Sequence, residues 1–146
     1  MQSTQKFLDL DQISRIENAI ASAENHSTGE IRIHIAKVLV KNIFDQAVEK
    51  FKELGMDKTA DRNGVLIFIC PDFREFAIIG DQGINEKVGA DFWNSTKEIM
   101  LQNFMEGNME NGILQAITKV GENLQSLFPS NNPTPNQLPN HISFDA

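Results

Sequence analysis

The chain has a single cysteine, Cys70, so it cannot form an internal disulfide, and nothing in its cysteine usage points to a stapled secreted scaffold. Cys70 closes an apolar run with no histidine near it in sequence, the setting of a buried, inert thiol rather than an activated nucleophile. Basic residues are also few. There are 13 Lys and Arg against 20 Asp and Glu, a formal net charge of −7. That balance argues against a nucleic-acid partner, because affinity for phosphate backbones comes from clustered Lys and Arg. No apolar stretch approaches the roughly 20 residues of a membrane span. The N-terminal MQSTQKFLDLDQ lacks the apolar core of a signal peptide, so a cytoplasmic location is the default expectation. His26, His34 and His141 fit no Cys/His ligand spacing, which argues against zinc.

What remains is a 146-residue chain, 40% hydrophobic and 23% charged, which suits one globular domain with its own core. Leu8, Ile13, Ile16, Ile20 and Ala23 recur at helical spacing, with Asp9 or Asp11 as N-cap. Glu30–Val40 alternates as a strand, with Ile31, Ile33 and Ile35 on one face and Arg32, His34 and Ala36 on the other. Asn42 caps a second helix whose stripe is Ile43, Phe44, Ala47, Val48, Phe51 and Leu54, with Gly55 at its end. The continuous run Val65–Cys70 predicts a central strand covered on both faces. A short turn at Pro71–Arg74 leaves room only for an antiparallel partner over Phe76–Ile79.

A long helix is expected over Ile84 to Phe104, with a break near Asn94-Ser95, and a last helix runs from Ile113 to Leu127. Trp93 and Met100, Met105 and Met109 read as packing residues. The domain is expected over residues 1–129, and the Pro- and Asn-rich residues 130–146 as a mobile tail, with His141–Phe144 as a candidate edge strand. The order α, β, α, β, β, α, α predicts an α/β fold. It is a three-layer α/β/α sandwich, a small mixed sheet with helices on both faces.

This topology brings two loops to one end of the sheet. The third strand exits at Gly80, Asp81 and Gly83 beside the entrance to the second, the loop Asp57 to Gly64. Ser27, Thr28 and Glu30 approach the same end. Asp57, Thr59, Asp61 and Asn63 place an oxygen at every second position, an alternation that calcium loops use to wrap a hard cation. It is not an EF-hand: the glycine is misplaced and the closing Glu is missing. Asp81 could add charge, and Asp91 is a further candidate. A solvated loop of turn-forming Asp and Asn is the alternative. Arg62 is either an anion clamp or an ion-pair partner of Asp61 or Asp81. Gly80–Gly83 lacks the full GxGxxG pattern and a P-loop lysine, so it is weak as a nucleotide motif.

Thr28-Gly29-Glu30-Ile31-Arg32-Ile33, Arg62-Asn63-Gly64-Val65-Leu66-Ile67 and Ile79-Gly80-Asp81-Gln82-Gly83-Ile84 stand in the order of the TPM domain family. That family is known from thylakoid lumen and photosystem II repair proteins and from many bacterial ones. Phe104-xx-Gly107, Gly112-Ile113 and Leu127-Phe128-Pro129 extend the resemblance over residues 8 to 129. It implies an α/β/α sandwich, calcium binding in some members and acid phosphatase activity in others. The resulting expectation is a domain that binds calcium or magnesium and serves in interaction or assembly, with an unidentified protein as a possible partner. Its metal ligands would be Asp61, Asn63, Asp81 and Asp91, with Arg62 able to hold an anion. The competing expectation is a metal-assisted phosphomonoesterase at the same loops, for which no nucleophile motif is visible.

Overall fold

The computed structural model describes residues 7–89, 91–130 and 139–145. Its helices are α1 (Leu10–Ala23), α2 (Ile43–Glu53), α3 (Gln82–Asn85), α4 (Asn94–Met105) and α5 (Met109–Leu127). Its strands are β1 (Glu30–Ile35), β2 (Gly64–Cys70), β3 (Glu75–Gly80) and β4 (Ser143–Phe144). They form one mixed sheet in the order β3-β2-β1-β4. β1 is parallel to β2 and β4, and β2 is antiparallel to β3.

Side chains alternate across the sheet, and each face has its own helical cover. Ile31, Ile33, Ile35, Val65, Ile67 and Ile69 pack with Ile16 and Ile20 of α1, Met100 of α4 and Ile117 and Val120 of α5. Leu66, Phe68, Cys70 and Ile79 meet Ala47 and Phe51 of α2 on the other face. The α/β/α sandwich read from the sequence is the observed fold. Asp9 closes α1 with a capping box: its carboxylate accepts from the Gln12 amide (2.8 Å), while the Gln12 side chain accepts from the Asp9 amide (2.9 Å). Asp9→Ala is expected to cost about 1 kcal/mol, read as a lower urea midpoint; an unchanged midpoint would mean that packing alone fixes this helix start.

Several expectations need correction. β1 ends at Ile35 rather than Val40, because the following segment is drawn to α2: the Val40 amide donates to Gln46 Oε1 and Gln46 Nε2 to the Val38 carbonyl. Val38 and Val40 are exposed. Phe44, assigned to the buried stripe of α2, is 60% exposed. Met105 is also exposed, whereas Met100 and Trp93 are buried as expected. The long helix divides into α3 and α4, with turns at residues 86–87 and 91–93 between them. These turns bring Trp93 against Gly80, where an added Cβ would lie 3.1 Å from the indole.

Of the expected tail, residues 131–138 lie outside the described residues. Residues 139–145 are described, and the edge strand expected near His141–Phe144 is present as β4. Ile142 is buried, its amide donates to Glu17, and the Asp145 amide donates to the Ile35 carbonyl. No helix among the described residues is long and apolar enough to cross a membrane.

Candidate functional site

The entrances of β1 and β2 and the exit of β3 meet at one end of the sheet, since Glu30 pairs with Gly64 and Gly80 with Val65. Thr28 is the hub. Its hydroxyl donates to Asp61 Oδ2 (2.6 Å) and accepts from Asn63 Nδ2 (2.9 Å). The end of α5 holds Thr28 in place: the Thr28 amide donates to the Phe128 carbonyl, and Ser27 bridges to Pro129. Asn63 is fully buried, and its amide donates to Thr59 Oγ1 (3.2 Å). Its Oδ1 is enclosed and meets no donor. An orphaned acceptor of this kind carries a desolvation penalty that a cation or a bound water would relieve. Asp57 Oδ1 is also enclosed without a donor.

Arg62 and Asp81 form the second half of the site. Arg62 Nε and Nη2 lie 2.8 and 3.0 Å from the two carboxylate oxygens of Asp81, a bidentate pair. Asp81 is buried and also caps α3 through the Gln82 amide (2.7 Å). Arg62 has a left-handed backbone (φ 50°), sparsely populated by residues with side chains. Its carbonyl accepts from the Gly83 amide at 2.7 Å. This close approach requires glycine. A Cβ at Gly83 would lie 2.2 Å from the Asp61 carbonyl oxygen and 2.6 Å from that of Arg62. Outside the pair, Phe44, Val48, Asp57, Gln82 and Glu86 border a depression of about 450 Å³.

Asp61 and Asn63 are thus joined through Thr28, and Asp81 stands beside them, neutralised by Arg62. Asp91 is not drawn in; it is exposed, and its recorded partner is Asn94. Among the described residues, no three His, Cys, Asp or Glu side chains cluster as a metal centre would require. A ligand set here would therefore combine the Asp61 carboxylate with amide, hydroxyl and main-chain oxygens. Hard cations such as calcium accept such donors, and the low ligand charge favours weak binding.

Two buried features were not singled out from the sequence. Glu24 accepts the Ile31 amide (2.7 Å) and hydrogen-bonds to Glu30, which is buried at the start of β1. Burial pushes the Glu24 carboxyl up to about 8 against the pull of the Ile31 amide, and repulsion from Glu30 adds to the rise. The only sequence signal was an acid two residues before the loop and another just after it. On β1, His34 is buried between Ser143 Oγ (2.9 Å from Nδ1) and Asp145 Oδ1 (2.8 Å from Nε2). Burial lowers its pKa despite Asp145.

Comparison with known proteins agrees with this architecture. The family model for the TPM domain matches residues 1–123. The chain is similar to the BA42 protein of the psychrophilic bacterium Bizionia argentinensis, with 38% identity over 95% of this chain and 96% of that one, and a TM-score of 0.89. The N-terminal domain of a P. gingivalis protein aligns over 83% of this chain and 78% of its own, with a TM-score of 0.69 at 15% identity. That of cg2496 from Corynebacterium glutamicum covers 87% and 80%, with a TM-score of 0.65 at 13% identity. The last two likenesses concern the fold alone. No protein of curated function matches the chain. With the family model spanning most of its length and BA42 aligned nearly end to end, the chain belongs to the TPM domain family.

Proposed function

We propose that this domain binds a divalent cation, calcium or magnesium, at the paired loops, and that the cation orders this end of the sheet for an interaction or assembly role. The observation that carries the reading is Asn63 Oδ1, a fully enclosed acceptor with no donor, on a side chain that Thr28 links to the Asp61 carboxylate. Asp61 and Asn63 are the first ligands of the proposal. Asp81 joins them if it releases Arg62, and Asp91 is the most remote of the four, with its carboxylate in solvent.

The phosphomonoesterase reading has less support. The Arg62 Nε and Nη2 nitrogens are already engaged by Asp81, so a phosphate would meet Arg62 only through its remaining donors and beside a carboxylate that repels it.

Titration with calcium and with magnesium, followed by backbone amide resonances, tests the proposal. Saturating shifts are expected at Thr28, Asp61–Gly64 and Asp81–Gly83, with a dissociation constant on the order of 10⁻³ M. Asp61→Asn should weaken binding about tenfold by removing the charge of a first ligand. Unmoved loop resonances at millimolar metal would sink the proposal.

A further inference from the structure

β1 carries a second polar feature on the α2 face of the sheet. Arg32 sits mid-strand opposite Leu66 and is only 6% exposed. Its Nε is enclosed with no acceptor, and among the described residues no carboxylate pairs with its guanidinium. The Nη nitrogens are the part of the group left to meet solvent. A guanidinium does not shed its proton in a protein, so the charge persists, and burial without a counter-ion penalises it.

Nearby carboxylates are committed elsewhere. Glu30, two residues earlier on the same face, is hydrogen-bonded to Glu24. Asp145 receives His34 Nε2 (2.8 Å) and the Lys37 amide (2.9 Å), and Lys50 Nζ lies 3.9 Å away. Lys50 also pairs with Glu53 at 2.8 Å. Arg32 and Lys50 both disfavour a proton on His34. These carboxylates are directed to other partners, so the Arg32 guanidinium is left without a counter-ion at its own nitrogens.

We propose that the Arg32 guanidinium is the recognition group of an oxyanion site on the α2 side of β1, taking one carboxylate or phosphate group through its Nη nitrogens, with Lys50 adding attraction. Two parallel N–H donors match the paired oxygens of either group, and a single anion would give the buried guanidinium the acceptor it lacks. The site is separate from the cation loops.

The test uses the full chain freed of divalent cations on a chelating resin, titrated with sodium acetate or sodium phosphate against chloride at equal ionic strength. Without divalent cations, failure here leaves the loop proposal untouched. The expected result is saturating amide shifts at Arg32–His34 and a rise in Tm of several degrees with at least one anion. A response confined to acetate identifies a carboxylate ligand; a response to phosphate identifies a phosphoryl group. Arg32→Met, at least as stable as the wild type in chloride, should lose the response to both. If neither anion gives a saturating response in the wild-type chain, the guanidinium is merely hydrated and the proposal falls. It falls equally if Arg32→Met responds as the wild type does. The wild-type titration decides even if the variant does not fold.

Discussion

Gly83→Ala is expected to lower stability by about 3 kcal/mol, of which overpacking supplies most and a broken main-chain hydrogen bond the rest. The new methyl group would stand 2.2 Å from the Asp61 carbonyl oxygen, a separation that no side-chain rotation can relieve because the obstacle is backbone. The loops must part, so the Gly83 amide loses the Arg62 carbonyl and Asp81 loses its alignment with the Arg62 fork. Urea or thermal unfolding should register the change, with Tm lower by roughly 6–12 °C for a chain of this size. The amide shifts proposed for calcium should shrink with it. A variant that keeps wild-type stability would show that the loops are not pressed together in solution.

The second large effect concerns pH. The folded-state pKa of Glu24 lies near 8, above its ordinary 4.5, so between these values the native chain holds a proton that the unfolded chain has released. Stability is fully present below about 4.5 and is lost as pH rises through about 8. Glutamine imitates the protonated acid: its oxygen still accepts the Ile31 amide and its NH₂ can donate to Glu30. Glu24→Gln should therefore stabilise the protein by about 2 kcal/mol above pH 8 and change little at pH 4.5, after discounting for solvent screening at a half-buried site. Urea unfolding at the two pH values distinguishes the outcomes. Equal destabilisation at both would mean that the shared proton is absent.

The layering and the meeting of the loops were legible because they depend on periodicity and chain length. Four residues of turn between two apolar runs leave no room for a crossover, so Asp61 and Asp81 had to share an end of the sheet. Partner choice was not legible. Nothing in the order of residues shows that Thr28 would stand between Asp61 and Asn63, or that Arg62 would close on Asp81 rather than Asp61. Asp91 seemed close because Ile84, Val88 and Phe92 keep helical spacing; turns interrupt that helix after Asn85. The alternation assigned Arg32 and His34 to the strand face opposite Ile31, Ile33 and Ile35 but not their depth or their partners. They are buried because the sheet is covered on that side too, with the C-terminal segment adding Ser143 and Asp145 beside His34.

The β1–β4 pairing also bears on how the protein folds and opens. His34 and Asp145 are 111 residues apart in sequence, whereas the contacts between β2 and β3 close a short hairpin. Joining such distant segments costs more loop entropy, and a two-residue strand has little burial to offset it. β4 is therefore the last strand to join and the first to leave, and its detachment does not require the other three to unfold. Departure would expose the outer edge of β1 and release the anchor of His34. The domain thus has one edge, at β4, that opens at low free energy.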